Sequence, residues 1–148
     1  MKNSVRGARR GNVLLELALG FAALWAVFSG VFQFGYAIYI YHSLVNTVTS
    51  GAYYAGRAEF NADSTADFSD QVKNMVVYGS PAGGSSPLVP QLTTAKVNVA
   101  WTTDASGVPQ SVTVSIVDYS VSAVVGGVVF NNKPRCTVRF AGLYVTSP

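Results

Sequence analysis

Residues 17–41 read LALGFAALWAVFSGVFQFGYAIYIY, 25 positions without a Lys, Arg, Asp or Glu. As one α-helix this stretch extends ~37 Å at about 1.5 Å per residue, more than the roughly 30 Å hydrocarbon core of a bilayer. It is long enough to span, over about residues 17–41. The charge-free interval then runs on to Arg57, interrupted only by His42. A chain of 148 residues has the length for one modest domain, yet its apolar residues are loaded toward the front instead of being spread as a single globular core requires.

The formal charge of +3 suggests a nucleic-acid surface until the charges are located. Lys2, Arg6, Arg9 and Arg10 all precede Gly11. Beyond Gly11, six basic side chains (Arg57, Lys73, Lys96, Lys133, Arg135, Arg139) face seven acidic ones, a side-chain charge of −1. The basic cluster is therefore a topogenic signal, and no nucleic-acid partner is expected. Four cations on one flank of the span, with Arg57 well beyond the other, place the N-terminus in the cytoplasm and the C-terminal part across the membrane.

Several kinds of export signal start this way, and their differences are legible. A secretory signal peptide has an apolar region of about 7 to 15 residues, then a small-x-small site and polar mature sequence. Here the apolar run does not stop, and a cut near Ala23, Ala26, Ser29 or Gly30 leaves Val31 to Tyr41 as an apolar mature terminus. A lipoprotein signal needs a cysteine at the cut, whereas the only cysteine is Cys136. That lone thiol has no partner for an intrachain disulfide; a partly buried small apolar residue, a disulfide to another subunit and a reactive thiol stay open for it. An uncleaved signal anchor has no use for Glu16, a carboxylate that costs about 2 to 3 kcal/mol deep in lipid and less near an end.

The residues around it read Arg9-Arg10-Gly11-Asn12-Val13-Leu14-Leu15-Glu16-Leu17-Ala18-Leu19. This resembles the signal of type IV pilin-like proteins, in which a basic leader ends in Gly and the fifth mature residue is Glu on an apolar helix. The resemblance implies a cut between Gly11 and Asn12 by a prepilin peptidase on the cytoplasmic side. The first mature residue is Asn12 in place of the commoner Phe, and Glu16-Leu17-Ala18-Leu19 looks like the TadE-type minor pilins of tight-adherence systems. Their major pilins are very short, whereas about 90 residues follow the helix here. The physics of the spacing agrees with such a role. Cleavage exposes an α-amino group of pKa about 8 at a helix start that already carries partial positive charge. Glu16 lies ~6 Å up the axis. Between helices staggered in a filament, the carboxylate of one meets the amine of the next; at about 4 Å and an effective dielectric near 20 the pair gains on the order of 4 kcal/mol before desolvation.

Two further patterns mark the helix. Ala18, Ala22, Ala26 and Gly30 recur every four residues as a narrow ridge of small side chains, which lets helix backbones approach closely in a membrane. Beside it runs a bulky stripe of Phe21, Trp25, Phe28, Phe32, Tyr36 and Tyr39. Tyr36, Tyr39 and Tyr41 sit where an aromatic belt meets the far headgroups. From His42, an interfacial residue, the helix continues to about residue 57 with Leu44, Val45, Val48, Ala52, Tyr53 and Ala55 against the head.

Beyond Glu59 the composition changes. Asp63, Asp67 and Asp70 lie among serines and threonines without the order of a calcium loop, so no metal is expected. Ser69 or Asp70 caps a short helix through about Tyr78. Pro81, Gly83, Gly84, Pro87 and Pro90 make 79–90 a loop. Val97, Val99 and Trp101 alternate with polar residues, as do Val112, Val114 and Ile116, and Asp104-Ala105-Ser106-Gly107 turns between them as a hairpin. Thr137 to Val145 reads as a third strand interrupted at Gly142, while Val121 to Phe130 fits a strand or a loop packed on the helix.

The expected fold is thus α+β: a leader (1–11), a long transmembrane or filament helix (12–57), an acidic segment with a short helix and a Gly/Pro/Ser loop (58–95), and a small antiparallel β head (96–148). No nucleophile constellation, phosphate cradle or dinucleotide fingerprint is present, so neither an enzyme nor a cofactor is expected. The resemblance implies a pilin or pseudopilin subunit in the cytoplasmic membrane, possessing an extracytoplasmic head. Its partners are the prepilin peptidase, other pilin subunits, the assembly machinery and, before assembly, membrane lipid. An uncleaved membrane-anchored binding module and a type II secretion pseudopilin stay open as alternatives.

Overall fold

The computed structural model describes the backbone of residues 4–121 and 128–145 and the side chains of 12–121 and 129–145. Its fold is α+β, a long apolar N-terminal helix followed by a small antiparallel β-rich region. Helix α1 runs from Ser4 to Ala55 without a break. It contains no proline, and its Ala, Leu and Phe content suits a helix whose backbone groups must all be satisfied internally in lipid. The chain divides into two compact units, Met1–Ala37 and Ile38–Pro148.

In the first unit no described side chain is buried. Leu14, Leu17, Phe21, Trp25, Val31 and Phe34 all stand open, each more than half exposed. A soluble protein does not leave so large an apolar surface uncovered. The helix is long and apolar enough to cross a membrane over Asn12–Ala55.

The second unit has its own core. Ile40, Leu44, Val48, Ala52 and Ala55 bury one face of the last turns of α1, a spacing of four, four, four and three that keeps to one side of a helix. Tyr53 points the other way and is exposed, contrary to the expectation that it faces the head, and Val45 is only half-buried. Helix α2, Thr65–Tyr78, adds Phe68, Val72, Val76 and Val77. It starts earlier than Ser69 or Asp70, both of which lie inside it. Ser64 occupies the N-cap position, after a turn in which the Asn61 side-chain oxygen accepts the Asp63 N–H and the Asn61 carbonyl accepts the Ser64 N–H. The helix ends at Gly79, whose φ of 73° suits glycine and whose N–H reaches the Met75 carbonyl. Helices α1 and α2 touch where Gly51 faces Val76: a Cβ on Gly51 would collide with the valine Cγ2.

Three antiparallel strands form the sheet, in the order β2 (Val97–Thr103), β3 (Pro109–Ile116), β6 (Arg135–Arg139). Val97, Val99 and Trp101 pair with Ile116, Val114 and Val112, so the inward residues of both strands share the core face. In the turn, one Asp104 carboxylate oxygen accepts the Ser106 and Val108 N–H groups and Gly107 takes φ 80°. The expected third strand is two. Strand β6 ends at Arg139; β7 (Tyr144–Val145) leaves the sheet and pairs in parallel with β1 (Phe60–Asn61). The break falls at Gly142, where any side chain would strike the Ala58 carbonyl oxygen. Strands β4 (Tyr119–Val121) and β5 (Val128–Phe130) pair as a separate hairpin, and the Phe130 ring lies 5.5 Å from that of Tyr41 on α1. Residues 122–127, the rest of the Val121–Phe130 segment, lie outside the described residues.

Phe60 gathers the aromatic residues. Its ring lies 5.0 Å from Phe68, 5.5 Å from Trp101, 6.1 Å from Phe140 and 6.3 Å from Tyr144. One side chain thereby ties β1, α2, β2 and the chain beyond β6 together, mostly in the edge-to-face geometry that ring quadrupoles prefer.

Candidate assembly face of the N-terminal helix

Glu16 lies on α1 one turn past Asn12, exposed among apolar side chains. Val13, Leu17, Gly20, Phe21 and Leu24 border with it a shallow groove along one face. These positions follow the 3, 4, 7 and 8 spacing of one helix side. Gly20 makes the notch, since a Cβ there would meet nothing within 4 Å. The Glu16 carboxylate is thus the one ionisable group in an apolar channel. Among the described residues it meets no cationic side chain; the ion pair found there is Lys73 with Asp70 at 3.6 Å, in α2.

The ridge of Ala18, Ala22, Ala26 and Gly30 also lies on exposed helix. At 100° per residue it falls roughly opposite the Glu16 groove. One helix therefore carries two different exposed faces, an apolar groove with one carboxylate and a ridge of small side chains. The bulky stripe lies between them, and the rings of Phe21 and Trp25 stack at 6.3 Å. Gly20 escaped the sequence reading; its position four residues beyond Glu16 was the available signal.

The bond between Gly11 and Asn12 falls inside α1, because the helix begins at Ser4. Lys2 lies outside the described residues, as do the side chains of Arg6, Arg9 and Arg10. In the second unit His42 is exposed beside Tyr41. The acidic residues have local occupations: the Asp67 carboxylate takes the Ser64 hydroxyl and Asp70 pairs with Lys73. Among the described residues no three His, Cys, Asp or Glu side chains gather as a metal site. Cys136 sits half-buried on β6 opposite Val114.

Comparison with curated proteins and with solved structures gave no match. Residues 11–52, which hold Gly11, Asn12, Glu16 and the ridge from Ala18 to Gly30, match the family model described as TadE-like protein, and that segment is similar to this family.

Proposed function

We propose that this chain is a minor pilin or pseudopilin of a tight-adherence assembly, cut by a prepilin peptidase between Gly11 and Asn12 and assembled through its apolar helix. The observation that carries the reading is the TadE-like match over residues 11–52, together with an α1 surface that has no cover within its own unit. A TadE-like segment on an N-terminal apolar helix fits a pilus-related membrane subunit. Before assembly the helix spans the cytoplasmic membrane, its N-terminus held in the cytoplasm by Lys2, Arg6, Arg9 and Arg10 and the head outside. After the cut, the new amine of one subunit meets Glu16 of the next in the groove at Gly20, while the ridge of Ala18, Ala22, Ala26 and Gly30 admits a neighbouring helix on the other side. Desolvated in that groove, the pair sets axial register as much as stability.

Amino-terminal sequencing of the membrane-derived protein tests this directly. The expected first residue is Asn12. A mature protein that starts at Met1 overturns the reading and returns the chain to an uncleaved anchor.

A further inference from the structure

We propose that the free edge of β2 is a pairing surface for a second copy of this chain, the two Val97–Thr103 strands running antiparallel to join two sheets into one. In the order β2, β3, β6 the strand β2 has a neighbour on one side only. The Val117 N–H donates to the Lys96 carbonyl and the Asp104 N–H to the Val108 carbonyl. The even-numbered residues of β2 therefore turn their peptide groups toward β3, and the odd-numbered ones turn theirs away. Among the described residues no backbone hydrogen bond reaches Val99 or Trp101 from that outer side. Both side chains belong to the core face, yet both are only half-buried, whereas Val114 and Val112 opposite them on β3 are fully buried. The core face is unfinished along this edge.

Open sheet edges are ordinarily guarded by charge, which blocks strand pairing with other molecules. The opposite edge strand, β6, is guarded in this way: Arg135 and Arg139 are both exposed on it, and an antiparallel pair of β6 strands would set one against the other. Strand β2 is seven residues long and carries no charged residue from Val97 to Thr103. Two copies meet along it with no like charges opposed. The strand also complements itself. With Ala100 opposite its own copy all seven residues pair, Val99 lying opposite Trp101 and Val97 opposite Thr103. Val99 and Trp101 then exchange the hydrogen bonds that their outward peptide groups lack, and a β-branched side chain sits beside an aromatic one on the shared core face. Asn98 falls opposite Thr102 on the other face, where both are exposed. Each copy thus offers the same patch, as a closed two-fold dimer requires. This edge lies outside residues 11–52 and takes no part in the function proposed above.

Disulfide cross-linking of the full chain in its membranes, with Cys136→Ser as background, tests this. In the register described, position 100 forms a non-hydrogen-bonded pair with its copy, the Cα atoms about 4.5 Å apart and within disulfide reach. Positions 98 and 102 each lie ~14 Å along the strands from their own copies, at about 3.4 Å per residue. On oxidation Ala100→Cys is expected to give a covalent dimer in a yield about tenfold above that of Asn98→Cys or Thr102→Cys alone. Co-expressed, the 98 and 102 variants are expected to cross-link to each other. Similar yields at 98, 100 and 102 taken singly mean parallel pairing or random collision, and overturn the proposal. So does the absence of a dimer at 100, or a product in which position 100 is joined to a different protein. Amino-terminal sequencing of the same samples follows the cut at Gly11 separately, so that either proposal can fail without the other.

Discussion

At the scale of single residues, Glu16 is the ionisable side chain in the apolar groove of α1. Its carboxylate is exposed in an apolar channel notched by Gly20, and no described cation of its own chain reaches it. If its partner is the mature amine of a neighbour, Glu16→Ala should be cut normally and fail to assemble. Sequencing the mature terminus while measuring the protein in sheared surface material checks both halves; a variant that still assembles eliminates the charge pair and spares the cleavage. Glu16→Gln should behave like the alanine variant, since the amide keeps the shape and loses the charge. The spacing of Gly11 and Glu16 was legible because one helical turn fixes it locally. Gly20 gained meaning only when the neighbouring side chains were in place around it.

At the scale of elements, α1 does two jobs with one helix. Among the described side chains up to Ala37 none is buried, and from Ile40 on the helix buries a full face in the head core. The hydropathy of the segment shows the first job plainly. The second depends on α2, which meets α1 at Gly51 with no room for a Cβ beside Val76. Gly51→Val should therefore overpack this crossing and destabilise the head by about 1–3 kcal/mol. Thermal unfolding followed by near-ultraviolet circular dichroism measures it, and an unchanged midpoint would mean that α2 shifts at no cost. Strands β2 and β3 were legible from alternation, because each buries one face. The split of β6 from β7 was not, since what forbids a straight strand at Gly142 is the carbonyl of Ala58, far away in sequence.

At the scale of the whole molecule, the buried core found among the described residues lies in the second unit, from Ile40 onward. The head depends on Phe60, whose ring touches Phe68, Trp101, Phe140 and Tyr144. Phe60→Ala should cost about 3–5 kcal/mol, the range for emptying a buried aromatic site. The head's near-ultraviolet signal should melt at lower temperature while the helix stays in the membrane fraction; loss of both together would show that the units do not fold independently. What the sequence by itself determined is the apolar helix, the charge layout around it, the Gly11 to Glu16 spacing and the β2–β3 hairpin. Each rests on periodicity or on neighbours within a turn. Only the tertiary structure decided that β7 pairs with the two-residue β1, that Phe60 is the aromatic centre, and that β5 lies against Tyr41. Those contacts join residues from Tyr41 to Tyr144, and side-chain shape and chain crossing, which leave no periodic trace, select them.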